Sequence, residues 1–154
     1  MRAQGRWSPR DMARTKASRA RLRRFRIEDA ADVCRIYPMF FVDNAIDIKG
    51  GWLTVAEAGG RVVGFVLWSP AKESAWFDPG VERWAELCEL HVHPSFQNRG
   101  IGTRLVRAAI RQARFVGYPA MYLETEDSNG PARRAYEKAG FREHNRVIRY
   151  KVCL

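Results

Sequence analysis

The sequence predicts one α/β domain of the α+β kind, a mixed, mostly antiparallel sheet of about six to seven strands with helices on both faces. Three observations carry that expectation. Short strand-like runs outnumber helical ones, two stretches read as hairpins, and one long amphipathic helix leaves a strand through a glycine-containing loop.

Residues 1–20 are polar and Arg-rich with no apolar period, which reads as a disordered basic tail ahead of a domain over 21–154. Leu22, Phe25 and Ile27 mark a first strand over 21–26. Glu28-Asp29 open a helix, where carboxylates complement the N-terminal dipole, and Ala30, Val33, Cys34 and Tyr37 recur at helical spacing until Pro38. Residues 40–51 read as a short helix or an ordered loop. Leu53–Glu57 and Val62–Trp68 form the clearest hairpin, because Gly59-Gly60 supply the positive φ of a tight turn. Residues 69–80 read as loop, and Trp84–Val92 as a strand ended by Pro94.

The next helix spans 100–116. Ile101, Leu105, Val106, Ala109, Ile110, Ala113 and Val116 cover one half of its wheel, with Arg104, Arg107, Arg111 and Arg114 gathered opposite. The arginines read as a solvated face, with contact to a polyanion or to the phosphates of a bound ligand as the alternative. Gly117 caps the helix. Ala120–Thr125 reads as a short strand, Pro131–Ala139 as a helix stopped by Gly140, and residues 141–152 as two closing strands.

With 154 residues, 46% hydrophobic and 29% charged, the chain suits one soluble domain with a proper core. No apolar run approaches the roughly 18–20 residues of a membrane span. No apolar stretch follows the N-terminal arginines as in a secretory signal. Cys34, Cys88 and Cys153 are odd in number and lack metal-ligand spacing, so reduced thiols in the cytoplasm are expected. The net charge of +10 sits in the tail: residues 1–26 hold ten Lys or Arg against one Asp, and residues 27–154 hold seventeen against sixteen acids. Such a tail can grip a polyanion through counterion release or stay solvated; the near-neutral body makes nucleic acid an unexpected partner.

The most informative segment runs Leu90-His-Val-His-Pro-Ser-Phe-Gln97-Asn98-Arg99-Gly100-Ile101-Gly102-Thr103. A strand enters a loop with two glycines and then opens a long helix. Unpaired N–H groups at that helix end aim at one point, the glycines admit a bulky anion close to the main chain, and Arg99 adds charge. The physical reading is a pyrophosphate cradle. A dinucleotide site wants a third glycine where Leu105 stands, although Glu124 lies about 20 residues on as such a site requires. A nucleotide P-loop wants Lys before Thr103, where Gly102 stands instead.

Gln97-x-x-Gly100-x-Gly102 and the later run Asn129-Gly-Pro-Ala132-Arg-Arg-Ala-Tyr136-Glu-Lys-Ala-Gly140-Phe141 resemble the GNAT superfamily of N-acetyltransferases, most strongly from Glu86 to Phe141. The resemblance implies the GNAT acyl-CoA N-acyltransferase fold and acetyl-CoA as cosubstrate, without a metal. It implies that Gln97, Asn98, Arg99, Gly100, Ile101, Gly102 and Thr103 bind the CoA diphosphate, and that main-chain groups of Leu90, His91 and Val92 pair with the pantetheine arm. A main-chain N–H there would hold the developing oxyanion. Asn129, beside Ala132, would reach the CoA arm from the last helix, or serve only as that helix's N-cap. Tyr136, on the face shared with Ala132, Ala135 and Ala139, would protonate the departing thiolate, or be a core tyrosine.

The attacking amine needs a proton acceptor, and three carboxylates compete. Glu86 stands eleven residues before Gln97, where histone-type acetyltransferases place their base; Glu124 stands twelve before Tyr136, as in ribosomal-protein alanine acetyltransferases. Glu89 falls on the opposite strand face from Glu86 unless a bulge intervenes. His91 and His93 have the spacing of a metal pair but no evident third ligand. The acceptor, a small-molecule amine or a peptide, would lie against the first helix and residues 40–51 and 69–80. Phe40, Phe41, Trp52, Trp76 and Phe77 stand there with Asp43, Asp47 and Asp78, a setting for a cationic amine or for ordinary core aromatics. A homodimer is compatible with the resemblance, and a membrane partner is not expected. The alternative to an enzyme is a regulatory module that binds acetyl-CoA without turnover.

Overall fold

The computed structural model describes residues 10, 13, 19–45, 51–71, 80–81, 83–146, 148 and 150–153. The expected tail disorder lies almost wholly outside the described residues, as do Asp47, Trp76, Phe77 and Asp78.

Strand β1 (Arg21–Arg24) pairs antiparallel with β2 (Trp52–Ala58), which turns through Gly59 (φ 57°) and Gly60 (φ 79°) into β3 (Arg61–Pro70). Both glycines take the left-handed conformation that the hairpin prediction required. Strand β4 (Trp84–Val92) pairs antiparallel with β3, and β5 (Ala120–Tyr122) is parallel to β4, giving the order β1-β2-β3-β4-β5. β3 is central, and its run Val62–Ser69 is buried throughout, as a strand covered on both faces must be.

One face carries α1 (Ala30–Ile36), entered through a 3-10 turn at Ile27–Asp29, and the single turn α2 (Phe40–Asp43). Val33 and Phe40 there pack on Leu53, Val55, Val62, Phe65 and Leu67. The other face carries α3 (Ile101–Val116), whose Leu105, Val106, Ala109 and Ala113 pack on Ala56, Val63, Val66, Trp68 and Leu87. Each such side chain contributes about 1.5–3 kcal/mol of burial, apart from the smaller alanines. Buried Trp68 donates its indole N–H to Gln112 Oε1 (2.9 Å), so the widest core side chain leaves no orphan donor. α4 (Gly130–Ala139) packs beside α3, capped by Asn129 Oδ1 on Ala132 N–H (3.4 Å) and ended by Gly140 (φ 112°).

One expectation needs correction. Among the described residues the sheet has five strands rather than six or seven, because none of those after Gly140 joins it. The run Arg142-Glu-His-Asn-Arg146 offers no apolar face to bury, and Glu143 pairs with Arg146 (2.6 Å) and with Arg133 of α4 (3.6 Å). Trp52, grouped with Phe40 as a candidate acceptor contact, lies on the α3 face, stacked on Trp68 with centroids 4.4 Å apart. Phe40 is wholly buried on the other face, so both are core residues.

The entry to α1 is fixed by charge. Arg23 of β1 forks onto Asp29 (2.7 and 2.8 Å) and reaches Glu57 of β2 (2.5 Å). Bonding to Arg23 holds the Asp29 carboxyl below its ordinary value near 3.8, against the opposing effect of burial. A lowered folded pKa stabilises the fold fully above the unfolded value, and that contribution is lost as pH falls through the folded one. Replacing Arg23 with Ala strands a buried carboxylate, with an expected loss of about 3 kcal/mol at pH 7 in urea unfolding. The gap between parent and variant should narrow as pH drops below the carboxylate range.

Candidate active site

The site is built where β4 loses a neighbour. Its pairing with β3 continues to Val92, opposite Gly64, but its pairing with β5 covers only Trp84–Glu86 against Ala120–Tyr122. From Leu87 to Val92 the far edge of β4 has no ladder partner among the described residues. An edge of unpaired N–H and C=O groups can accept an extended amide-bearing ligand as though it were a strand. Leu90, His91 and Val92 lie on that edge, as expected.

Beyond Val92 the chain turns through a 3-10 segment, Pro94–Phe96, whose start is closed by Ser95 N–H onto His93 Nδ1 (3.2 Å). Phe96 is buried, and Gln97 folds back to donate its Nε2 to Val92 O (3.0 Å). The side chain of Gln97 therefore staples the loop to the strand. Asn98 (φ 59°) and Gly100 (φ 73°) take left-handed conformations and swing the chain into α3. The first helical bond runs from Arg104 N–H to Gly100 O (3.1 Å), so the N–H groups of Ile101, Gly102 and Thr103 face out of the helix end. The sequence indicated an anion cradle at this point, and the helix end presents these three N–H groups together. A Cβ on Gly102 would stand 3.7 Å from Ala135 Cβ, 3.9 Å from Val92 and 4.0 Å from Leu90, so α3, α4 and β4 converge at this residue.

The face of β4 toward α1 holds the acidic groups. A register shift pairs Leu67 with Glu89 but Trp68 with Leu87, leaving Cys88 as an extra residue. This is the bulge on which the facing of Glu89 depended. It leaves Leu87 and Leu90 together on the α3 core while Cys88 packs on the other. Glu89 accepts from Asn44 Nδ2 of the α2 C-terminus (3.3 Å) and pairs with His91 Nε2 (2.7 Å). The His91 ring stacks on Tyr37 (centroids 4.8 Å apart), whose hydroxyl donates to Asp43.

Tyr136 of α4 is half-buried, edge-on to Phe141 (6.1 Å). Burial first, and then the negative charge of Glu89, push its phenol up to about 12. Glu86 is the register partner of Tyr122 on β5, where the β4–β5 pairing ends, and Tyr122 is pushed up to about 12 by burial, by the charge and bonding of Glu86 and more weakly by Glu124. Glu124 itself is exposed. Sequence reasoning missed Asn44 and Tyr122 and read Tyr37 only as a helix-face residue. The Asn44–Glu89 contact spans 45 residues and has no local signature. No group of three metal-ligating side chains occurs among the described residues.

Residues 18–141 match the family model described as the acetyltransferase (GNAT) family. An N-alpha-acetyltransferase of Sulfurisphaera tokodaii is 30% identical over 143 residues, covering 83% of each chain. An uncharacterized N-acetyltransferase of Bacillus subtilis is 28% identical over 86% of this chain and 95% of its own. Among solved structures, an aminoglycoside N-acetyltransferase in complex with CoA shares the fold at a TM-score of 0.71 and 22% identity, over 87% of this chain and all of that one (100%).

The two loop glycines should respond oppositely to alanine. At Gly102 a Cβ meets ordinary van der Waals contacts, and alanine favours the helix over glycine by about 0.5–1 kcal/mol. At Gly100 there is space, but φ of 73° penalises any side chain by about 1–2 kcal/mol. Thermal unfolding should show Gly102→Ala at or above the parent and Gly100→Ala below it.

Proposed function

The chain belongs to the acetyltransferase (GNAT) family, and from that premise we propose that it moves the acetyl group of acetyl-CoA to a cationic primary amine, with Glu89 as base and Tyr136 as acid. The observation that carries this assignment is the placement of Glu89, held by Asn44 Nδ2 (3.3 Å) and His91 Nε2 (2.7 Å), on β4 where its far edge is unpaired. The cosubstrate supplies an activated thioester. The α3 amides and Arg99 hold its diphosphate, and the edge from Leu90 to Val92 pairs with its amide-bearing arm. A main-chain N–H of that edge stabilises charge developing on the carbonyl oxygen.

The amine approaches from the α1–α2 face, where Tyr37, Asp43 and Glu89 offer an aromatic surface beside carboxylates. The ammonium loses a proton to Glu89, the free nitrogen attacks the carbonyl carbon, the C–S bond breaks to release the thiolate, and the second proton of the acylated nitrogen passes to solvent. Asn44 and His91 hold Glu89 toward the site. A phenol near 12 is a poor acid for a thiolate whose thiol has a pKa of about 8.5. The arrival of a proton on Glu89 removes the charge that helps keep the phenol high. Burial, the larger cause, keeps the phenol raised throughout, so Tyr136 meets the departing thiolate as a protonated hydrogen-bond donor.

Thiol release across a panel of primary amines tests the reaction, and calorimetry with acetyl-CoA tests the cosubstrate separately. Glu89→Gln and Tyr136→Phe should each lower kcat by about 10²-fold or more while acetyl-CoA affinity holds within a few-fold. Glu124→Gln should stay close to the parent. A parent that binds acetyl-CoA yet releases no thiol with any amine would point to a non-catalytic module. Loss of activity in Glu124→Gln with Glu89→Gln intact would reassign the base.

A further inference from the structure

The folded body is near neutral in sum, yet its charge is unevenly placed. Residues 91–123 hold five Arg and neither Asp nor Glu. Three of these, Arg107, Arg111 and Arg114, are exposed on α3 within about 60° of one another on its wheel, in a row roughly 10 Å long. None of the three joins an ion pair among the described residues. Arg107 donates Nη2 to Lys138 O of α4 (2.7 Å), which sets exposed Lys138 beside the row. The helix dipole favours Arg114, in the last turn, but gives no reason for Arg107 or Arg111. At i,i+4 and i,i+3 spacing the three cations repel one another. Phe115 stands about 40° round from Arg111. It is 94% exposed, more than any other large hydrophobic side chain among the described residues. The chain also enters the fold beside this helix, since Arg104 donates Nη2 to Ala20 O (2.9 Å), and residues 1–19 carry six Lys or Arg against one Asp.

We propose that this face of α3 binds single-stranded nucleic acid, with Arg107, Arg111 and Arg114 on backbone phosphates and Phe115 stacked on an unpaired base. The arrangement argues for a polyanion. The cations stand in a row on a convex helix face, whereas donors for one small anion converge on a point. Like charges in a row gain most from a partner that repeats negative charge along its length, because each contact also releases a condensed counterion. Phe115 argues for the class of polyanion. An unpaired base offers its π-face beside the phosphates that Arg111 and Arg114 hold, and such stacking tolerates any sequence. A duplex keeps its base faces stacked within the helix. An anionic bilayer would call for an apolar helix face to enter it, and that of α3 is buried on the sheet. None of these residues belongs to the site assigned to acetyl transfer, so the inference stands apart from that reading.

The test is fluorescence anisotropy of labelled oligo(dT) and oligo(rU) with the full chain, between about 50 and 200 mM salt and with or without saturating CoA. The parent should bind the oligomers, with CoA making no difference. Replacing Arg107, Arg111 and Arg114 together with Gln should weaken binding about tenfold or more at the low-salt end. It should also flatten the slope of log K against log salt by about 2, as three lost phosphate contacts on a single strand require. The matching three-Lys variant keeps the charge and should keep the slope. Phe115→Ala should weaken single-strand binding about fivefold or more at an unchanged slope, while leaving a blunt duplex unaffected. A parent that fails to bind at low salt would overturn the proposal. So would binding that survives both the three-Gln variant and Phe115→Ala, because other basic residues would then carry it. Displacement of the oligomers by CoA would put them on the cosubstrate site and refute the α3 face. Binding to phosphatidylserine vesicles with no binding to either oligomer would make the face a membrane surface, contrary to the proposal.

Discussion

The structure depends on a single mismatch in strand pairing. β4 is bonded to β3 along its length, yet β5 accompanies it for only three register pairs. Unpaired backbone groups in a sheet are expensive unless water or a ligand satisfies them. The fold leaves such an edge open where α3 presents its own unpaired N–H groups, so two sets of orphan donors border one cleft. Neither set depends on a particular side chain, so recognition through them would need little dedicated sequence.

The bulge at Cys88 has a comparable effect on side chains. Without the extra residue, Glu89 would point with Leu87 toward the apolar core, where an ionised carboxylate is costly. With it, Glu89 meets Asn44 and His91. One inserted residue thereby separates a buried hydrophobic layer from an acidic pair. Gly64 supports the same region from the neighbouring strand, since a Cβ there would lie 2.9 Å from His91 O.

Much of this was legible in the sequence because the signals were local. Alternation and paired glycines gave the β2–β3 hairpin, and the apolar half-wheel gave α3, whose Leu105, Val106, Ala109 and Ala113 are all buried. Gln97-x-x-Gly100-x-Gly102 located the cradle, although the Gln97 side chain proves to brace the loop. The facing of Glu89 was not legible, since it turns on a bulge and on Asn44, distant in sequence. The closing strands failed for a different reason. Alternating Ile148, Tyr150 and Val152 imitate a buried strand face, yet all three are exposed and the charged run before them pairs with itself and with α4.

The account stands on the open edge of β4 and the adjoining helix end as the place where the acetyl donor lies. Backbone amide chemical shifts and hydrogen exchange, followed while CoA is titrated into the protein, test this directly. The largest changes and new protection should fall on Leu87–Val92 and Asn98–Thr103, with β1 and the body of β2 little affected. Saturable binding that leaves the amides of both segments unperturbed would contradict the account.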